Sequence, residues 1–228
     1  MKAVILAGGK GTRLRPYTTN FPKPLMPIDN KPILEIVINQ LKNCGITDIT
    51  ITVGHLAELI MAYFGDGRDF GVSINYSKEK KALGTAGPLS LIKETIDSNF
   101  LLMNGDVLTD INFKDFIEYH EKNKNIATIG VSQRKVNIDF GVVEIGKDLN
   151  IKEWNEKPVI DYFVSMGIYA LNPEIIELLP NDQIFNLPDL IIKAKDQGHL
   201  ISSYNHKGYW LDIGREEDYI EACENFKL

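Results

Sequence analysis

The chain has 228 residues, with 25 basic against 31 acidic side chains and a formal net charge of −6. At 44% hydrophobic and 25% charged residues it has a globular composition, which excludes a disordered, collagen-like or membrane-embedded chain. A pI near 5.3 argues against nucleic acid as the partner, and no apolar run is long enough to span a bilayer.

From the first residue, short β-rich runs alternate with helical patterns. Lys2–Ala7 reads as a buried strand that runs into a glycine-rich loop. Ile33, Ile36, Val37, Gln40 and Leu41 form a helical stripe, with Pro32 suited to a first-turn position. A strand at Ile49–Val53 leads to a helix at Leu56–Phe64, and a strand at Val72–Tyr76 leads to a helix over Thr85–Ile96. A strand at Phe100–Met103 precedes a helix over Asn112–Lys122 that Asn112 would cap, and Ile126–Val131 is a further strand. This alternation predicts an α/β fold with right-handed crossovers and a mostly parallel sheet between two helical layers. After about residue 133 the pattern changes. Phe140–Ile145, Ile151–Trp154 and Phe163–Leu171 read as strands without intervening helices, an antiparallel addition. Helices return at Pro173–Leu179, Leu187–Gln197 and Glu216–Phe226, with strands near Leu200–Tyr204 and Tyr209–Ile213. No linker or internal repeat divides the chain, so residues 1–228 read as one domain. Cys44 and Cys223 form no disulfide framework and read as free thiols of a reducing, cytoplasmic compartment.

Charge is uneven. Residues 1–31 carry six basic side chains against Asp29 alone, a local net of +5 within an acidic protein. Such a segment attracts a small polyanion while the rest of the chain repels a polymeric one. Its centre is Ala7-Gly8-Gly9-Lys10-Gly11-Thr12-Arg13-Leu14-Arg15. Glycines there let backbone N–H groups close on a phosphate, helped by neighbouring cations. Two familiar phosphate loops are excluded. Gly9-Lys10 is followed by Gly11 rather than Ser or Thr, and the dinucleotide fingerprint would need a small residue where Leu14 stands. Downstream, Pro22 and Pro24 bracket Lys23 and stiffen the segment that presents its ammonium.

Gly8-Gly9-Lys10-Gly11-Thr12-Arg13-Leu14-Arg15-Pro16 followed by Pro22-Lys23-Pro24-Leu25 resembles the signature of sugar-1-phosphate nucleotidyltransferases, the nucleotide-sugar pyrophosphorylases. The likeness continues in order through Leu83-Gly84-Thr85-Ala86-Gly87, Asn104-Gly105-Asp106, Glu156-Lys157-Pro158 and Trp210-Leu211-Asp212-Ile213-Gly214. It implies a Rossmann-like three-layer sandwich with a mostly parallel mixed sheet and a smaller antiparallel sugar-binding insertion. The nucleotide-binding half would cover about residues 1–133 and the sugar-binding half about 134–228. It further implies Mg²⁺-dependent transfer from a nucleoside triphosphate to a sugar 1-phosphate, with pyrophosphate released. Larger relatives append a β-helix; the chain reaches its last residues soon after Asp212, so that appendage is not expected.

By this resemblance Arg13 would hold the β and γ phosphates, Lys23 would sit near the reacting phosphates, and Asp106 and Asp212 would hold the metal. Two carboxylates with phosphate oxygens and water suit a hard, octahedral Mg²⁺ site. The nucleotide would lie along Leu6, Ala7, Gly8, Gly9, Gly11, Thr12, Arg13, Gly84, Thr85, Asn104 and Gly105. Leu-Gly-Thr-Ala-Gly-Pro resembles mannose-1-phosphate guanylyltransferases more than thymidylyl- or uridylyltransferases. Glu79 matches a position that holds a base-reading glutamine in uridylyl relatives. Its acceptor-only carboxylate suits the adjacent N1–H and N2–H₂ donors of guanine. On the sugar side Gly141, Glu156, Lys157 and Gly167 match positions that contact sugar hydroxyls and the sugar phosphate.

The four histidines lack metal-ligand spacing, which argues against zinc, and Asp110 and Asp161 fall outside the motifs. Three readings stay open: a guanylyltransferase acting on a mannose-like, heptose or amino-sugar 1-phosphate; a uridylyl-, cytidylyl- or thymidylyltransferase of the same fold, including forms acting on N-acetylmuramate 1-phosphate or phosphocholine; and a non-catalytic nucleotide-sugar sensor. Neither nucleic acid nor a membrane is an expected partner, and the sequence leaves the oligomeric state open.

Overall fold

The computed structural model describes residues 1–180 and 183–226. Its first strand, β1 (Lys2–Ala7), points Ala3, Ile5 and Ala7 to one face and Val4 to the other, and each set is buried in a different cluster. A strand apolar on both sides belongs in the middle of a sheet covered twice. Short β2 (Pro27–Ile28) and β3 (Lys31–Pro32) lead into α1 (Ile33–Asn43), then β4 (Asp48–Val53), α2 (Ala57–Phe64), β5 (Ser73–Lys78), β6 (Phe100–Asn104) and β7 (Val107–Thr109). Next come α3 (Phe113–Asn123), β8 (Ala127–Asn137), β9 (Gly141–Ile145), β10 (Ile151–Glu156) and β11 (Val159–Leu171). The remainder is α4 (Leu187–Asp196), β12 (Ile201–His206), β13 (Trp210–Asp212) and α5 (Glu216–Asn225).

Seven strands form the main sheet in the order β12-β8-β11-β6-β1-β4-β5. Only β11 runs against its neighbours; β1 is parallel to both β4 and β6. α1, α2 and α3 bury Leu34, Val37, Ile60, Phe64, Phe113 and Phe116 on one face. α4 and the 80s segment bury Leu187, Leu190, Ala86 and Leu89 on the other. The expected three-layer α/β sandwich is therefore present. Asn112 caps α3, its side-chain oxygen accepting from the Lys114 and Asp115 amides at 3.0 and 3.3 Å. No helix among the described residues is long and apolar enough to cross a membrane.

The expected helix over Thr85–Ile96 is instead two short 3₁₀ turns, Gly87–Leu91 and Lys93–Thr95. The Ala86 and Gly87 amides are both spent on the Phe185 carbonyl, and Ser90 and Thr95 hydroxyls bond the carbonyls three residues back. Side-chain and loop competition of this kind disfavours an α-helix over this segment. Pro173–Leu178 is likewise 3₁₀ rather than α. β13 stays out of the main sheet and pairs with β7, Asp212 opposite Val107.

The antiparallel addition is longer than the sequence pattern suggests. β8 runs on from the main sheet beside β11, the Ile138 amide donates to the Pro158 carbonyl at 3.0 Å, and β9 then pairs with β10. Residues 132–165 thus form one long two-stranded arm. Its root is a bulge in β11 between Ser165 and Tyr169, where Gly167 takes φ +72°. A side chain there would be strained, and its Cβ would fall 2.6 Å from the Asn104 amide nitrogen.

Candidate active site

The chain passes from β1 to β4 and β5 on one side and returns to β6 on the other, so the crevice between the carboxyl ends of β1 and β6 is a topological switch point. Ligands of open α/β sheets collect there. A cavity of about 440 Å³ opens at that place. Leu6 through Thr12, except Lys10, and Arg13 line one side; Asn104, Gly105 and Asp106 line the other, with Lys23, Glu79, Gly84 and Thr85 closing it. All of the nucleotide-side positions picked out in the sequence therefore surround one space. Pro24, Thr52, Ala82 and Pro88 line it as well. Thr52 escapes a sequence reading because it enters only through its register opposite Leu6 on β4.

Local backbone geometry explains the glycines. Gly11 is left-handed at φ +60° and starts the turn Thr12–Leu14; Leu14, buried beneath, anchors that turn, while Arg13 beside it faces the cavity. Gly105 crosses β1 closely, its amide donating to the Leu6 carbonyl at 2.9 Å. Gly84 lies at φ +80°, and a Cβ would meet the Phe185 carbonyl at 2.6 Å. The Thr85 hydroxyl oxygen accepts from the Leu187 amide at 2.8 Å and so ties the cavity wall to the start of α4.

Lys23 is largely buried in a 3₁₀ turn, Lys23–Leu25, and its ammonium pairs with Asp106 Oδ2. Asp106 Oδ1 is buried with no hydrogen-bond partner. Asp212 arrives from β13, with the Ile213 amide donating to the Asp106 carbonyl at 3.1 Å. Burial first, and then the charge of Asp106, push the Asp212 carboxyl above its ordinary range, while Lys23 and Arg13 pull it back. The end of Arg13 lies against Gly214, whose absent Cβ would stand 3.1 Å from Nη1. Arg13, Lys23, Asp106 and Asp212, from four separate segments, thus meet in one electrostatic group. Among the described residues no three carboxylates, histidines or cysteines cluster as a ready-made metal cage. A pair of carboxylates with one free buried oxygen and mutual repulsion nevertheless suits a divalent cation that takes its other ligands from phosphate and water.

Glu79 is half-buried rather than part of a solvated charge run. Oε2 accepts from the Leu83 amide at 2.9 Å, and Oε1 comes so near Gly8 that a Cβ there would be 2.5 Å away. Burial raises its pKa, and the Leu83 amide opposes that shift.

The sugar-side candidates divide. Gly167 abuts Asn104 in the cavity wall. Gly141 and Glu156 sit opposite each other on the arm, and the Trp154 indole N–H donates to Glu156 Oε2 at 3.1 Å. Lys157 follows in a left-handed turn, φ 46°. None of Gly141, Glu156, Lys157 and Gly167 lines the cavity itself. Two residues outside the motifs have structural partners: Asp110 bonds His206 at 2.8 Å and Asp161 pairs with Lys135 at 3.8 Å.

A family described as Nucleotidyl transferase matches residues 2–227. The chain is 39% identical to a Synechocystis protein named UTP–glucose-1-phosphate uridylyltransferase, covering 97% of this chain and 62% of that protein. It is 34% identical to a Candida albicans mannose-1-phosphate guanyltransferase, covering 97% and 63%. The chain therefore spans under two thirds of the length of these relatives. Among solved structures, a Bacillus anthracis protein provisionally described as a glucose-1-phosphate thymidylyltransferase, in complex with a sucrose, superposes with a TM-score of 0.81 at 27% identity, covering 100% of this chain and 97% of that one.

Proposed function

Because the chain belongs to the nucleotidyl transferase family, we propose that it moves a nucleotidyl group from a nucleoside triphosphate, GTP by preference, to a sugar 1-phosphate such as a mannose-like one. A phosphate oxygen of the sugar phosphate forms a bond to the α-phosphorus, the α–β bridging bond breaks, and pyrophosphate leaves. Both reactants are anions. Like unit charges at 4 Å repel by about 1 kcal/mol in water and about 4 at an effective dielectric near 20. Neutralising and positioning them is thus most of the catalytic work.

The observation that carries this reading is the convergence of Lys23, Arg13, Asp106 and Asp212 at the mouth of the β1–β6 crevice. Arg13 would grip the β and γ phosphates with its planar fork, and Lys23 would set a point charge beside the α-phosphate. Asp106 and Asp212 would hold Mg²⁺, which when bound neutralises and orients phosphate oxygens. Glu156 and Lys157 on the arm would meet the sugar hydroxyls and the sugar phosphate, and Gly141 and Gly167 would let the sugar approach the backbone.

Glu79 supports guanine. One of its oxygens already accepts the Leu83 amide, yet a carboxylate retains lone pairs on both oxygens for the N1–H and N2–H₂ edge. The Synechocystis relative, at 39% identity, favours a uridylyl reading of the same site. A matrix of five nucleoside triphosphates against sugar 1-phosphates, read by pyrophosphate release with Mg²⁺, decides. GTP should turn over fastest. Preference for UTP or dTTP ends the guanine assignment, and nucleotide-sugar binding without turnover would make the protein a sensor.

A further inference from the structure

The segment that ends in Asp212-Ile213-Gly214 begins with Trp210, a side chain to which the proposed reaction gives no task. β13 lies outside the main sheet, on β7, and alternate residues along it share a face. Trp210 and Asp212 therefore project to one side, while Leu211 between them is buried in a separate cluster. Trp210 itself packs against the core beneath α1, α2 and α3.

Two contacts reach Trp210 from the arm, one from each of its strands. Arg134 on β8 stacks its guanidinium 4.9 Å from the centre of the indole ring, and its Nη2 donates to the Trp210 carbonyl at 3.4 Å. The indole N–H donates to the Met166 carbonyl of β11 at 2.9 Å. Both contacts fall at the root of the arm. β12 stops opposite Ser132, two residues before Arg134, and β11 leaves β6 at Ile168, two residues from Met166. Met166 is fully buried and precedes Gly167, which abuts Asn104 in the cavity wall. Past these points the arm is a two-stranded ribbon, marginal by itself in water, so its direction has to be set at the root.

We propose that Trp210 is a positioning residue: held by Arg134 and Met166, it fixes the angle of the arm against β13. That angle sets the gap between an acceptor at Glu156 and Lys157 and the Asp106–Asp212 pair. The inference rests on the reaction proposed above. Tyr162 stands opposite Arg134, and Glu156 lies six residues further out, roughly 20 Å along the arm. A tilt of about 3° at the root would carry Glu156 about 1 Å, and misplacement on that scale can cost about 100-fold in rate. The stacked cation is exposed and adds little to folding. Losing it should therefore change transfer far more than stability.

Two variants of the full chain test this. Arg134→Met keeps the side-chain stem and removes the cation; Trp210→Phe keeps a ring and removes the N–H donor. Each should bind nucleoside triphosphate, by calorimetry, as the unmodified chain does, and should keep its circular dichroism spectrum. Each should lower kcat/KM for sugar 1-phosphate about 10- to 100-fold while KM for the triphosphate stays put. A second measurement needs no turnover. Spin labels on the exposed native Cys44 and on Leu149→Cys at the arm tip, with Cys223→Ser, should give one narrow distance distribution that either variant broadens. Distributions that stay narrow in both variants overturn the proposal, as do unchanged rates or a parallel loss of triphosphate binding. An effect confined to Arg134→Met overturns it too, by making Arg134 a direct contact of the acceptor. Should the unmodified chain turn over no pair of substrates, the proposed reaction fails, and the distances still decide whether Trp210 fixes the arm.

Discussion

Asp106 carries two different demands on one carboxylate. Its Oδ2 neutralises the buried Lys23 ammonium, while its buried Oδ1 has no protein partner. Removing a partner from a buried ion pair usually costs about 3–5 kcal/mol because the other charge is stranded. Here Asp212, which already interacts with Lys23, remains as a counter-charge. Asp106→Asn should therefore keep the fold, by circular dichroism and melting, while pyrophosphate release falls about 100-fold or more. Normal rates would remove Asp106 from the reacting centre. At this scale much of the candidate site's lining was legible, because a loop such as Gly8–Gly11 or Pro22-Lys23-Pro24 encodes its own geometry in neighbouring residues. Thr52 was not legible, since it reaches the cavity only through its register opposite Leu6. The Asp110–His206 pair joins residues 96 positions apart and left no local trace.

Elements whose apolar period is long and uninterrupted appear where the pattern puts them, α1 and α3 among them. The 80s segment does not, because its amides and hydroxyls are claimed by contacts from residue 185 and from its own turn. A helical period cannot report such competition. α3 carries a consequence for pH. His120 is buried against β8, Nδ1 2.9 Å from the Thr128 hydroxyl and Nε2 without a partner. Burial lowers its pKa below 6.5. The unfolded chain therefore binds a proton that the folded chain refuses. Stability from this residue is fully present above pH 6.5 and is lost as pH falls toward the depressed value. Urea midpoints measured from neutral pH downward should fall, and the fall should be smaller in His120→Gln. Equal slopes in both proteins would mean that His120 titrates freely.

On the scale of the molecule, two strands read correctly as antiparallel say nothing about whether they join a sheet or project from it. The arm was therefore invisible as an arm, although its boundary near residue 133 was readable. Its closure point, the Ile138–Pro158 hydrogen bond, permits a direct cut. Replacing residues 139–157 with a two-residue Asn-Gly turn matches the hairpin register there. The shortened protein should bind nucleoside triphosphate, by calorimetry, as the full chain does, and should lose transfer to sugar 1-phosphate. Lost nucleotide binding would show that the two halves are not separable. The same closure point has an evolutionary side. Past Ile138 and Pro158 the hairpin contributes no strand to the seven-stranded sheet, so its tip can lengthen, shrink or be redecorated without reopening the crevice. Under the proposed function, acceptor choice would thus be free to drift across generations while the residues proposed to grip the donor stay under tight restraint.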